Sequence, residues 1–345
     1  MRAREGVMGP VFFTHEDVRK AADGDDPQAR MANAKLSLDM VEDSIRAMAG
    51  GHPRDDRSQV LIPPGTFHYA QGKAMLAAHL ATMPGDDSPL VAYLVCIGNR
   101  MTYDKNGIWR LVWDPNTLSL VCILPDYHVQ PWAVGGHAGV GTRWLAREDA
   151  KVLTIFGSSR HAYGALRANV GARDFDEIRV WSPTEEHRKA FAEQARRDFD
   201  LNVVASESAR EAVEGADVIS LAPRNVPGDP PVLDVEWLSP GTHLNSITYE
   251  LGPEIIERAR IVPQNTDELR GQGWEPYSSR LNAGEIPNLG PDMYSMVSSG
   301  KTARADDDEI TLYLANSSVT HSVAISRWIY DEGRAKGLGI ELDAG

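Results

Sequence analysis

Apolar positions along this chain recur with two periods, and the changes between them mark out its elements. Near the start, Thr14-His15-Glu16-Asp17 has a capping residue followed three positions later by an acid, which predicts a helix start. From 32 to 49 the spacing of Leu36, Met40 or Val41, Ile45 and Met48 predicts a second helix, ended by Gly50-Gly51. Short β-branched and apolar runs then follow at 59–62, 74–80, 90–97, 108–113 and 119–124. Proline, glycine and asparagine clusters separate them, so this part reads as a meander of strands preceded by helices.

The stretch 127–146, HVQPWAVGGHAGVGTRWLA in its main part, is rich in small residues and reads as a helix packed closely on a neighbour. It leads into Val152-Leu153-Thr154-Ile155-Phe156, a strand that breaks at Gly157-Ser158-Ser159. A helix follows in which Ala165, Leu166 and Val170 share a face, and then a second strand at 178–181. Strand, tight turn, helix and strand in about thirty residues is the opening βαβ unit of a dinucleotide-binding domain. Further alternation follows: a helix through 191–199, a strand at 202–205, a helix at 207–214, and strands at 216–221, 242–247 and 260–262. Strands with apolar cores alternating with helices imply a parallel sheet covered on both faces.

After Asn265 the pattern loosens through GQGWEPYSSRLNAGEIPNLGPDM, too long for an ordinary connection and therefore a lid, a packed excursion or an interface segment. Val319, Val323, Ile325, Trp328 and Ile329 suit a terminal helix that returns to the first domain. The fold class is α/β: a Rossmann-type dinucleotide-binding domain at 147–310 plus an α+β dimerisation and substrate domain at 1–146 and 311–345.

In the GxGxxG/A spacing this chain supplies Gly157, Ser159 and Ala162, so the second glycine has become serine. A pyrophosphate must approach main-chain N–H groups at a helix start, where large side chains block it. Serine leaves the turn less free to adopt positive φ, while Ser158, Ser159 and Arg160 add donors. A βαβ unit whose turn binds nothing has the same pattern. The second strand ends at Ser182 rather than at an acid that would accept from ribose hydroxyls. Ser182, Thr184 and Arg188 offer donors to a 2′-phosphate, which favours NADP(H) over NAD(H).

Composition narrows the classes. At 345 residues the chain has room for two domains, and 42% hydrophobic with 24% charged residues is the balance of a soluble globular protein. A formal charge of -14 argues against nucleic acid and against an anionic membrane surface as partners. No apolar run is long enough to span a bilayer and the start lacks a signal-peptide core, so a cytoplasmic location is expected. Cys96 and Cys122 lie in apolar runs and read as buried thiols. No metal-ligand spacing is present.

The order of parts resembles the ornithine cyclodeaminase/mu-crystallin family. The stretches that carry the likeness are FFTHEDV, WRLVWDPNTLSLVCI, GVGTRWLAREDAKVLTIFGSSRHA, GADVISLAP, VEWLSPGTHLNSI and GKTAR with DEITLY. The resemblance implies a homodimer built through the β-rich domain and NAD(P) in a cleft between domains. It implies coenzyme contacts from His161, at the family's glutamine position, and from Ala222, Pro223 and Asn245. Departures accompany it. The substrate lysine would fall near Ala92, and the carboxylate-holding arginine within Ala133-Val134-Gly135-Gly136; neither is there. Arg57, Lys73, Arg100 and His137 are replacement candidates. A solvated surface role is the alternative for each; Arg57 stands by a strand start where the family often has another arginine, and His137 is either a proton donor or a packing histidine. Glu250 is either a stand-in for the catalytic aspartate or a structural glutamate.

Three functions are therefore carried forward. The first is an NAD(P)-dependent oxidoreductase of the imine reductase or amino-acid dehydrogenase type, acting on a small amino-acid-like or imine substrate. The second is an ammonia lyase of the ornithine cyclodeaminase type, and the third a non-catalytic NADP(H) or small-ligand binding protein.

Overall fold

The computed structural model describes residues 9–49, 77–82, 90–95, 108–114, 117, 119–223, 231–247, 251–271, 276–315 and 320–343. The elements begin with β1 (Val11–Phe12), α1 (His15–Ala22), α2 (Pro27–Ala49), β2 (Ala77–Thr82), β3 (Leu90–Val95), β4 (Ile108–Trp113), β5 (Leu120–Pro125) and α3 (Asp126–Leu145). β6 (Val152–Phe156), α4 (Arg160–Ala172), β7 (Glu177–Trp181), α5 (Glu185–Phe199), β8 (Val203–Ala205), α6 (Ala209–Val213) and β9 (Val218–Leu221) come next. The remainder is β10 (His243–Ser246), α7 (Pro253–Arg258), β11 (Arg260–Pro263), α8 (Thr266–Leu269), α9 (Tyr277–Ala283), α10 (Met293–Ser299), β12 (Thr311–Leu314), α11 (Thr320–Ala335) and β13 (Ile340–Glu341).

These residues fall into two compact units. One takes the described residues of Met1–Gly24, Gly50–Gln130 and Val319–Gly345, the other those of Asp25–Ala49 and Pro131–Ser318. The first unit holds a six-stranded sheet in the order β13-β1-β5-β4-β3-β2. β2 to β5 form an antiparallel meander, and β1 runs parallel to β5. The expected capping box opens α1: Thr14 N–H donates to Asp17 Oδ2 at 2.9 Å and Asp17 N–H to Thr14 Oγ1 at 3.1 Å. The middle of β4 carries Arg110, fully buried. Its Nε donates to Asp126 at the start of α3, and its Nη1 donates to Ser322 O at 3.2 Å and Ser326 Oγ at 3.1 Å on α11. A buried guanidinium is tolerable only with this degree of pairing, which also anchors the terminal helix to the sheet. Cys122 on β5 is buried, and burial pushes its thiol pKa up. Cys96 and the strand expected at 59–62 lie outside the described residues.

The second unit is built on a seven-stranded parallel sheet in the order β11-β12-β10-β9-β6-β7-β8. Strand alternation divides its core in two. Leu153, Ile155, Ile178 and Val180 pack with Leu166, Val170, Phe191 and Ala195 of α4 and α5 on one face. Phe156, Ile219, Leu221, Leu244 and Leu312 pack with Ala212, Ile255 and Leu281 on the other. Both faces are covered, as the apolar strands predict. The chain leaves β6 for β7 on one side and later returns to β9 on the other, so the order reverses between β6 and β9. Ligands of open α/β sheets bind outside the carboxyl ends of the strands at such a reversal.

The small residues of α3 have a direct explanation. A Cβ on Gly135 would lie 2.2 Å from the Gly164 carbonyl carbon, and one on Gly164 would lie 2.1 Å from Pro131 O. Backbone therefore rests on backbone where α3 meets α4, at a separation that larger residues would forbid. This contact corrects the expected domain boundary at 146. Residues 131–145 and α2 pack with the nucleotide-type unit, and β12, expected in the first domain, hydrogen-bonds between β10 and β11. Of the three options for the segment after Asn265, the packed excursion is what forms. Leu269, Tyr277, Leu281 and Ile286 of this segment sit in the core of the second face. Trp274 lies outside the described residues.

Candidate functional site

At the carboxyl end of β6 the chain turns through Gly157, whose φ is +109°. Its N–H donates to Trp181 O at 2.8 Å, tying the turn to the end of β7, and an added Cβ would lie 2.5 Å from Ala222 O. Only glycine fits both conditions. Ser159 differs from expectation: its φ of -81° and ψ of 170° are extended backbone, so serine there brings no strain. The residue is the N-cap of α4. Its Oγ accepts from Ala162 N–H at 3.3 Å, and its carbonyl accepts from Tyr163 N–H at 3.0 Å. Ala162 is fully buried, the third small residue that lets the helix lie against the sheet.

α4 carries no acid in its first turn, where α1, α5 and α6 do, and Arg160 and His161 open it instead. Burial, and then the Arg160 charge, lower the His161 pKa to about 3, so its ring is neutral. The positive end of the α4 dipole faces the turn. Ala222 and Pro223, at the end of β9, complete the same corner.

One strand over, Ser182 is buried at the end of β7. Its hydroxyl donates to Thr184 O at 3.3 Å, and Arg188 Nη1 donates to Ser182 O at 3.2 Å. The side chain of Thr184 makes no cap bond. Glu185, at the start of α5, is exposed and paired with Lys189 at 2.5 Å.

Two expected site residues have buried side chains. Asn245 is buried: its Oδ1 accepts from His243 Nε2 at 2.9 Å, and its Nδ2 donates to Thr142 Oγ1 at 2.8 Å. His137 is fully buried with Nδ1 3.3 Å from Tyr313 Oη, and desolvation lowers its pKa to about 3. A ring held that way is neutral near pH 7 rather than an imidazolium. For His137 this burial is that of a packing histidine, and Asn245, expected from the resemblance, is held by partners within the fold. Arg57, Lys73, Arg100 and Glu250 lie outside the described residues.

A buried polar chain links α3, α4 and the strands β9, β10 and β12. Thr142 Oγ1 donates to Asn169 Oδ1 at 2.5 Å, Asn169 Nδ2 donates to Ser220 Oγ at 2.8 Å, and Thr311 Oγ1 lies 2.8 Å from His243 Nδ1. With Asn245 accepting at Nε2, His243 must accept at Nδ1, which requires the neutral ring that burial enforces. Polar residues at alternate places in apolar strands, Ser220 in VISL and Asn245 in HLNS, were the available signal.

The sequence profile of the ornithine cyclodeaminase/mu-crystallin family matches residues 114–337. A Delta(1)-pyrroline-2-carboxylate reductase of Bacillus cereus is 26% identical over 246 residues, covering 69% of this chain and 74% of that protein. The fold is similar to that of Thermococcus litoralis Delta(1)-pyrroline-2-carboxylate reductase in complex with NADH and L-proline. The TM-score is 0.78 at 19% identity, covering 96% of this chain and 100% of the other. An archaeal alanine dehydrogenase dimer with bound NAD gives 0.76 at 21% identity, covering 98% and 100%.

Proposed function

The chain belongs to the ornithine cyclodeaminase/mu-crystallin family, and from that membership we propose that it is an NAD(P)-dependent oxidoreductase acting at a C=N or CH–NH centre of a small amino-acid-like or imine substrate. The observation that carries the reading is the turn at 157–162: a glycine pressed on Ala222, small residues, and a helix start with a cation and no acid, all at the strand-order reversal. That corner fits two linked phosphates. When bound, a nicotinamide coenzyme supplies or takes up the hydride. Gly157 lets the backbone approach, Ser158 and Ser159 offer hydroxyls, and Arg160 adds charge.

The finer assignments belong to the same proposal. Ser182 in place of an acid, with Arg188 folded over it, supports NADP(H) over NAD(H). Arg57 and Lys73 are proposed to hold a substrate carboxylate, and Glu250 to handle the proton. A homodimer is supported by the relative described as a dimer and by the exposed Ile340 and Leu342 at the β13 edge of the first sheet. Among the described residues no helix is long and apolar enough to cross a membrane, and a cytoplasmic location is proposed with the rest.

The test is NADPH oxidation with cyclic imino acids, 1-pyrroline-2-carboxylate first, after fluorescence titration has established coenzyme binding. Steady turnover is expected. Binding without turnover across a broad imine and keto-acid panel would leave the binding-protein reading. That alternative draws support from the 133–136 stretch, which is apolar and helical where the family's clamp arginine falls. Ammonia release from ornithine would instead revive the lyase.

A further inference from the structure

The departure from glycine at position 159 changes which group donates to the ligand. In the usual spacing a glycine leaves the main-chain donors of the first helical turn open to the pyrophosphate. Here the Ser159 oxygen already accepts the Ala162 N–H at 3.3 Å, so one of those donors is spent inside the protein. A hydroxyl has one proton and two lone pairs, and capping uses only a lone pair. Among the described residues the Ser159 hydroxyl donates to nothing, and the residue is exposed at the carboxyl end of the sheet beside Gly157. The neighbouring Ser158 side chain is likewise without a hydrogen bond among the described residues.

We propose that Ser159 is a bridging residue of the coenzyme site: its oxygen takes the Ala162 N–H, and its own proton is given to a phosphate oxygen of the coenzyme. This rests on the reading of the 157–162 turn as the pyrophosphate cradle. The number of donors offered to the ligand is conserved, with a main-chain N–H replaced by a hydroxyl whose position the cap fixes. The extended backbone at Ser159 is what makes the exchange free of strain. The inference adds a directional role to a residue otherwise counted only as small.

Three variants test it by fluorescence titration with NADPH, with melting temperature measured in the absence of coenzyme. Ser159→Ala removes the donor, and a hydrogen bond to a charged acceptor is worth about tenfold or more in affinity. The dissociation constant is expected to rise by about that factor. Ser159→Asn caps equally well and keeps an N–H donor, so affinity within about threefold of the original is expected. Ser159→Asp also caps the helix, but it sets a negative charge against the phosphates. Binding is expected to fall by more than in the alanine variant, with the melting temperature preserved. Unchanged or tighter binding by Ser159→Ala, which frees the Ala162 N–H, overturns the proposal. Loss of affinity in Ser159→Asn overturns it as well, and independently of how the other two variants fold. Failure of the unaltered protein to bind NADPH removes the cradle itself, a result distinct from binding that is indifferent to position 159.

Discussion

At the amino end of the parallel sheet, Arg147 pairs with Asp217 at 2.5 Å, and the other oxygen of Asp217 accepts from the N–H groups of Lys151 and Val152. Beside them Arg304 donates to Leu145 O at 2.6 Å, Glu309 O at 2.7 Å and Gly241 O at 3.0 Å, while Glu309 holds Arg260 at 2.7 Å. At the carboxyl end the turn into α4 is Gly157, Ser158 and Ser159, the first turn of α4 has no acid, and the hydroxyls of Ser158 and Ser159 donate to nothing among the described residues. One end holds these charges in ion pairs and hydrogen bonds within the protein and contributes stability. The other leaves donors for an anion, and an unmet donor costs little where water reaches it. On the proposed reading of the turn, stability and binding fall at opposite ends of the same strands.

The strongest way to break this contrast is Arg304→Ala. Several carbonyls lose a charged donor at a half-buried site, and a loss of about 2–4 kcal/mol in urea unfolding is expected, with NADPH affinity of the folded protein within about twofold. A large change in affinity would show that the two ends are coupled. Gly157→Ala acts at the other end and should do both kinds of damage. A Cβ at φ +109°, 2.5 Å from Ala222 O, is expected to cost about 1–3 kcal/mol and to weaken the coenzyme at least about tenfold by displacing the turn. Unaltered binding would show that the turn is not the cradle.

Arg188→Ala sharpens the contrast within the carboxyl end. NADPH should bind about tenfold more weakly while NADH is unaffected, with stability within about 0.5 kcal/mol. Equal losses for both coenzymes would remove Arg188 as a reader of the 2′-phosphate. Acid gives the smallest effect near neutrality. The folded-state pKa values of His137 and His243 are lowered to about 3 from 6.5, so the unfolded chain binds more protons between those values. Their contribution is complete above about pH 6.5 and is lost as pH falls toward 3, at up to about 1.4 kcal/mol per pH unit for each ring. The urea midpoint should be flat from pH 8 to 6.5 and fall below that. NADH affinity should stay flat to about pH 5.5, since His161 at the turn is held neutral as well.

How much of this was legible in the sequence depended on whether a residue's role is local. β6 and β4 begin and end where the apolar runs do, and the Thr14 capping box is visible in four letters. Gly157 was readable because a positive φ is a property of one residue in its turn. The inward aim of Asn245 was not, because its partner Thr142 lies on another element about a hundred positions away. Arg110 has the same history: nothing in WRLVW announces that its partners are Asp126 and a helix some two hundred residues later.

By itself the sequence determined the alternation of strands and helices, the tight turn before α4 and the close helix contact of the glycine-rich stretch, since periodicity, backbone freedom and side-chain size act over a few residues. The strand order that puts β6 beside β9, the inclusion of β12 in the parallel sheet and the withdrawal of His137 into the interior were decided only by tertiary structure. Those outcomes depend on which distant surfaces exclude water together, and no local window of residues contains that information.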